Sequence, residues 1–211
     1  MITIKRFIFN GFQVNTYVLF DETKDCIIID AANYDSSEDA ALSAFIEKEN
    51  LKPIAQIYTH CHIDHVLGSA YVEKKYHIGM SIHPDSKGFL KTASAQGAMY
   101  GFDLKSTAQI AKLVEEGDKI IVGNSELEVV YTPGHADGSI CLVNYAQQFV
   151  ISGDVLFHES IGRTDLPTGD FKILHENITK KLFSLPDVYT VYPGHGSETS
   201  IGHERINNPF L

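Results

Sequence analysis

The sequence predicts a mixed α/β fold, and three observations carry that prediction. Runs rich in β-branched and aromatic residues open the chain and recur in its second half. From Ile54 onward, strand-like and helix-like stretches alternate, as in layered α/β folds rather than helix bundles. Of the 211 residues, 44% are hydrophobic, enough for one sizeable core built as two similar halves. A single domain over residues 1–211 is therefore expected.

Taken in order, strands are expected over Ile2–Phe9, Val14–Phe20 and Cys26–Asp30, separated by Asn10-Gly11 and the polar stretch Asp21–Asp25. Such a start pairs antiparallel. Asp35, with Glu38 three residues on, is a helix-capping signal, and Leu42, Phe45 and Ile46 recur at helical spacing until Asn50. Pro53 leads into an apolar strand, Ile54–Tyr58. A helical pattern through Leu67, Ala70, Tyr71 and Lys74 follows, then a β run over Ile78–His83. Residues 84–116 are the least legible part, because Gly97 and Gly101 interrupt weak helical patterns. Beyond them, Lys119–Val122, Leu127–Tyr131, Ile140–Asn144 and Phe149–Ser152 form a second set of strands. Asp170–Leu185 is expected to be a helix with Phe171, Leu174, Ile178 and Leu182 on one face. Val188–Tyr192 is the last strand, followed by a short segment, Ser197–Asn207.

The chemistry is concentrated in Thr59-His60-Cys61-His62-Ile63-Asp64-His65, directly after Ile54–Tyr58. At a strand end, His60 and His62 would point to the same side, so their ring nitrogens can converge on one ion. Asp64 and His65 fall just beyond, where the chain turns toward a helix and can face a second ion. Imidazoles and carboxylates in this mixture suit zinc, iron or manganese rather than calcium or magnesium. A histidine-rich loop without metal is the bland alternative, and the spacing argues against it. Three more strand-end loops supply further candidates: His135 in Pro133-Gly134-His135, Asp154 in Ser152-Gly153-Asp154, and His195 in Pro193-Gly194-His195-Gly196. Cys61 would face the opposite side of a strand from its histidine neighbours and is expected to pack rather than bind metal. His77, His83, His158, His175 and His203 match none of these motifs, although His158 follows Asp154 closely enough to line a pocket.

Together these ordered motifs resemble the metallo-β-lactamase superfamily, and within it the glyoxalase II-like (hydroxyacylglutathione hydrolase-like) hydrolases, over almost the whole chain. The resemblance implies a four-layer αββα sandwich with its metal site along one edge, where loops from both halves meet. Carried over residue by residue, it implies one metal on His60, His62 and His135, another on Asp64, His65 and His195, and Asp154 as the bridge. The implied cofactors are two divalent transition-metal ions, zinc first, with iron or manganese as alternatives. The implied reaction is hydrolysis of a thioester or small ester by a metal-bound hydroxide, with Asp64 both holding metal and orienting the nucleophile. As the resemblance is usually drawn, several secreted β-lactamases have a cysteine or serine near the Asp154 position, whereas dinuclear thioesterases, lactonases and phosphodiesterases keep the aspartate. A mononuclear iron persulfide dioxygenase shares the His-x-His-x-Asp-His framework and is the alternative; it would leave His65 and His195 without metal. A non-catalytic metal-binding protein is the third class.

Ser160-Ile161-Gly162-Arg163-Thr164-Asp165-Leu166-Pro167 resembles the Gly-Arg-(Ser/Thr)-Asp segment of short glyoxalase II-like proteins. The corresponding segment of full-length glyoxalase II carries a Lys and a Tyr that hold glutathione, and neither is evident here. Nor is the C-terminal helical extension of those enzymes, so poor use of S-lactoylglutathione is expected. Arg163 is a candidate donor to a substrate carboxylate, with an internal ion pair to Asp165 or Asp170 as its structural alternative. In that family residues 84–116 would lie beside the active-site mouth, packing against the sandwich or touching substrate.

A formal net charge of −10 offers no basic stripe for nucleic acid. Cys26, Cys61 and Cys141 are too few and too scattered for a disulfide framework and fit a reducing compartment. No signal-type apolar segment opens the chain, and no run reaches the length of a membrane helix. The expectation is a cytoplasmic protein with a small-molecule substrate and neither nucleic-acid nor membrane partner.

Overall fold

A computed structural model describes residues 1–211. Strands β1 (Thr3–Phe9), β2 (Val14–Phe20) and β3 (Asp25–Ile29) pair antiparallel as expected. Helix α1 (Ser36–Lys48) then carries the chain back across the sheet, so β4 (Lys52–Ile57) lies parallel to β3. Helices α2 (Ile63–Val66) and α3 (Ser69–Tyr76) lead to β5 (Met80–Ile82), and α4 (Lys87–Met99) leads to the edge strand β6 (Ile110–Leu113). These six strands form the first sheet in sequence order.

The second sheet begins with the antiparallel strands β7 (Lys119–Val122), β8 (Ser125–Tyr131), β9 (Ile140–Asn144) and β10 (Phe149–Gly153). A small hairpin, β11 (Leu156–Phe157) and β12 (Ser160–Ile161), and helix α5 (Phe171–Lys180) follow. β13 (Thr190–Pro193) then returns parallel to β10, and β14 (Thr199–Ser200) and α6 (Ile201–Asn207) complete the fold. The sheet order is β14-β13-β10-β9-β8-β7.

Side-chain alternation along the strands builds the four layers. In β2 and β3, Val18, Phe20, Cys26 and Ile28 join a core that includes Leu42 and Ile46 of α1. Their neighbours Tyr17, Leu19, Ile27 and Ile29 face Leu127, Val129, Ile140, Leu142 and Ile151 of the second sheet. On the far side of that sheet, Cys141, Val143 and Val150 meet Leu174 and Ile178 of α5. Strands buried on both faces therefore read as continuous apolar runs rather than alternating ones. The result is an αββα sandwich. No helix is long and apolar enough to cross a membrane.

Local chemistry accounts for most boundaries. Asp35 caps α1 by accepting from the backbone N–H groups of Ser37 and Glu38. The Glu38 carboxylate reaches back to accept from Asn10 N (2.7 Å) and Tyr34 N (2.8 Å), tying the β1–β2 turn to the helix start. The structure differs from expectation in several elements, among them the strand expected over Ile78–His83, which spans only Met80–Ile82. The helix expected through Leu185 stops at Lys180 and continues only as a short 3-10 turn, Leu182–Ser184, with Asp170 as its N-cap. The last strand starts at Thr190, because Val188 is left exposed in the preceding turn. The apolar strand before the histidines ends at Ile57, one residue early.

Candidate metal centre

Because β4 stops at Ile57, His60 and His62 stand in a loop, and the strand-end alternation invoked for them does not apply. His62 instead opens α2 with extended backbone, and Asp64 and His65 ride on that single helical turn rather than in a turn before the helix. The side chains converge all the same. His60 Nε2 lies 3.2 Å from His62 Nδ1, which lies 2.9 Å from His135 Nε2. His62 thus presents Nδ1 inward where its two neighbours present Nε2.

The other side of the centre is built by His65, Asp64 and His195. His65 Nε2 is 3.3 Å from His195 Nε2, and Asp64 Oδ2 is 3.4 Å from His195 Nε2. Asp154 stands between the two groups, with Oδ1 at 3.4 Å from His65 Nε2 and Oδ2 at 3.6 Å from His135 Nε2. All seven candidate ligands meet in one cluster with overlapping groups: His60, His62, His135; His60, His65, Asp154; and Asp64, His65, His195. Cys61 belongs to none of them. It is buried in the core between the first sheet and its helices, where burial pushes the thiol pKa up.

Four of the five outward nitrogens, all but that of His62, are held by an accepting oxygen, which fixes the tautomer of those rings. His65 Nδ1–H donates to Asp30 Oδ2 (3.0 Å), His135 Nδ1–H to the Arg163 carbonyl (2.8 Å), and His195 Nδ1–H to the Phe12 carbonyl (3.0 Å). The Thr59 hydroxyl donates to Asp30 Oδ2 (2.7 Å) and so accepts from His60 Nδ1, 3.2 Å away. Asp30 also accepts the Thr59 N–H at 2.7 Å, is buried, and sits at a left-handed φ of 50°. Sequence reasoning passed over Asp30 as the end of a strand. The signal was there: a carboxylate closing an all-apolar strand must be paired when buried. Nothing in the sequence pointed to the carbonyl groups of Phe12 and Arg163.

The first half of the chain also holds the loop that carries His195. Asn15 N donates to the Gly194 carbonyl (2.7 Å), Asn15 Nδ2 to the carbonyls of Pro193 and Gly196 (both 2.9 Å), and the Tyr17 hydroxyl to the Pro193 carbonyl (2.7 Å). Gly194 is required by crowding. A methyl group there would collide with the Asp154 carboxylate and stand 2.9 Å from His65 Cε1.

The electrostatics match metal ligation. Burial, followed by the facing imidazoles, holds the pKa of His60 well below the ordinary histidine value and that of His62 at about 4, so both keep free lone pairs. Burial alone would raise the carboxyls of Asp64 and Asp154. The facing His65 and His195 outweigh it and hold both low, Asp154 far below the ordinary range. Burial would lower His65 and His195, but the same carboxylates outweigh it and raise both, His195 to about 9. Two ionised carboxylates packed among imidazoles demand compensating positive charge. Asp154 Oδ1, moreover, is buried and makes no hydrogen bond. This donor set fits transition-metal cations.

The profile of the family described as the metallo-beta-lactamase superfamily matches residues 9–195. The chain belongs to this superfamily. Within the metallo-β-lactamase superfamily it is 36% identical to the probable metallo-hydrolase YqgX of Bacillus subtilis, over 94% of this chain and 92% of that protein. It is 32% identical to the hydroxyacylglutathione hydrolase GloC of Haemophilus influenzae, over 95% and 94%. Among solved structures, the BLEG-1 B3 metallo-β-lactamase superposes with a TM-score of 0.89 at 32% identity, covering 99% of each chain. TTHA1623, solved in a di-iron-bound form, gives 0.88 at 30% identity, covering 98% of this chain and all of the other.

Above the ligands opens a cleft of about 720 Å³, with His62, Asp64, His135, Asp154 and His195 in its lining. Arg163 lies at its rim. Its exposed guanidinium forks onto Asp165 (2.7 and 2.6 Å), the ion pair weighed for it above, while Asp170 is occupied as the α5 cap. His158 does not line the cleft. It turns away to stack on His203, with ring centroids 4.9 Å apart, because the β11–β12 turn carries it to the opposite side.

Proposed function

We propose that this protein is a dinuclear metal-dependent hydrolase of thioesters or related small esters. The observation that carries this reading is the pair of ligand groups sharing Asp154, complete on both sides. His60, His62 and His135 would hold one ion, Asp64, His65 and His195 the other, and Asp154 both. Bound there, two divalent ions supply Lewis acidity and bring the pKa of water toward neutrality, to about 7 at single zinc sites. Zinc is the metal we expect, and the likeness to a protein solved with two irons makes iron the first alternative to assay.

The chain's own residues do the rest. The Asp64 carboxylate, ionised at neutral pH, accepts a hydrogen bond from water at the floor of the cleft and aims it at the carbonyl above. Asp30, Phe12 and Arg163 keep the histidines in register through their oxygens. In the net reaction the acyl carbon gains the water oxygen, the C–S bond breaks, and the leaving sulfur takes a proton, giving a carboxylic acid and a thiol. The substrate is a small molecule, and we assign no nucleic-acid or membrane partner and a cytoplasmic site of action. Arg163, committed to Asp165, leaves the cleft walls beyond the ligand cluster without a free cation for the carboxylates of glutathione.

Metal analysis of the purified protein, together with hydrolysis of S-lactoylglutathione and of a simple lactoyl thioester, tests this. We expect two ions per chain and a kcat/KM for the simple thioester at least equal to that for the glutathione thioester. One tightly bound iron in fully active protein, with oxygen consumption on a persulfide, would replace the reading with a dioxygenase. A strong preference for the glutathione thioester, lost in Arg163→Ala, would assign glutathione binding to the Gly162-Arg163 loop. The likeness to BLEG-1 favours a second reading, opening of a β-lactam amide by the same centre. Nitrocefin turnover exceeding that of every thioester would establish it.

A further inference from the structure

The cleft walls contain large apolar side chains that the ligand cluster does not need. Phe12, in the turn between β1 and β2, gives its carbonyl to His195 and turns its ring into the cleft. That ring packs edge-on against Tyr100 at the end of α4, with centroids 5.5 Å apart at 88°, and against Phe102 at 5.6 Å. One aromatic wall is thus pinned at one end to a candidate metal ligand. Phe12, Tyr100 and the adjacent Met99 nevertheless remain 42%, 52% and 82% exposed. Phe157, Ile161 and Leu166 of the second half line the opposite side. Contiguous apolar surface left in water on a folded protein marks a binding site.

Charge narrows the class further. Beyond the ligand cluster at its floor, the one formal charge in the cleft lining is the guanidinium of Arg163, which Asp165 already engages on two nitrogens. An anionic substrate tail lying along the walls, away from that cluster, would meet apolar rings and no unpaired cation. Residues 99 and 100, in the stretch whose role the sequence left open, thereby gain a task.

We propose that the substrate's acyl group is an uncharged apolar chain or ring, and that it lies along the wall formed by Phe12, Met99 and Tyr100. This rests on the thioester hydrolase reading and names its substrate class. An apolar acyl chain displaces water from exposed rings at no cost in charge desolvation, and each methylene fully buried raises affinity about fourfold. Partial burial on an open wall gives less per carbon, so the effect accumulates along the chain.

The test is a series of N-acetylcysteamine thioesters with one leaving group and acetyl, butyryl, hexanoyl and succinyl acyl parts, on the metal-loaded protein. We expect kcat/KM to rise at least about tenfold from acetyl to hexanoyl, and succinyl to fall below butyryl by a similar factor. In Met99→Ala and Tyr100→Ala, whose exposed side chains leave the fold intact, the hexanoyl-to-acetyl ratio should fall several-fold. A second readout is independent of turnover: binding of the hexyl thioether analogue of the thioester to metal-free protein, which should weaken in the same two variants. Thioester hydrolysis that is flat with chain length, or fastest on succinyl, overturns the acyl assignment while the hydrolase reading stands. Failure to hydrolyse any thioester overturns the hydrolase reading instead. The thioether binding then decides the wall: binding that weakens in both variants supports it, and binding unchanged in them overturns it.

Discussion

Asp154 is the residue through which both ligand groups meet, and Asp154→Ala should weaken both. Activity should drop by more than roughly 100-fold, the upper range for partners that merely orient ligands, and metal analysis should show less than the full complement. Gly194→Ala acts on the same carboxylate by crowding, since its methyl group has no space between Asp154 and His65. It should lower metal retention although no ligand is changed, which equilibrium dialysis of the folded variant would measure. Cys61→Ala is the contrasting case. Its sulfur lies in the core with no ligand neighbour in the metal groups, so metal stoichiometry and most activity should persist. Loss of an ion in that variant, with the fold intact, would return the thiol to the ligand set. Cys61 is packed in the core as the sequence expected, although the strand invoked for it ends too early. What turns it away from the histidines is the loop and the start of α2.

At the scale of elements, the parts that sequence made legible are those with strong local chemistry. β2, β3, β9 and β10 lie buried on both faces and announce themselves as apolar runs. Asp35 announced α1 through its cap, and the four ligand loops were marked by His, Asp and Gly residues that strands do not favour. β6 was not legible, because all four of its residues are exposed and it exists only by pairing with β5. α4 was diluted by Ala and Gly residues until its buried face held little more than Ala93 and Gly97. Asp170 was taken as part of a helix it in fact caps, accepting from Ile173 N at 3.0 Å. Asp170→Ala should cost about 1 kcal/mol, a loss of roughly 2–4 °C in Tm readable by calorimetry. Since the Gly134 carbonyl accepts from Asp170 N, a backbone bond that survives the change, His135 should keep its place.

For the whole molecule, two conditions should change stability. Ligands drawn from both sheets can hold ions only in the folded state, so chelation of two ions should lower Tm by roughly 20 °C when each is present at roughly a thousandfold over its dissociation constant. An unchanged Tm on removal of all metal would show the edge of the sandwich to be set without them. Alkali acts through the thiols. Burial pushes Cys26 and Cys141 up to about 12, against an ordinary value of 9.0, and raises Cys61 as well. Between pH 9.0 and about 12 the native state keeps protons that the unfolded chain releases. Stability is therefore unaffected below that window and falls as pH rises through it, by about 1.4 kcal/mol per unit for each thiol. Urea midpoints should decline above pH 9, less steeply in Cys26→Ala, and the thiols should resist alkylation at neutral pH until the protein unfolds.

The grip of Asn15 and Tyr17 on the turn that carries His195 also bears on how the protein comes to life. His65 and His195 are 130 positions apart, and the seat for the later one is made by a strand synthesised near the start. A growing chain displays His60, His62, Asp64 and His65 long before their partners exist. Any ion met at that stage would find only part of its ligand set. Secure capture waits for β13 to dock beside β10 and deliver its turn to β2, so the moment of loading reports that both halves have closed.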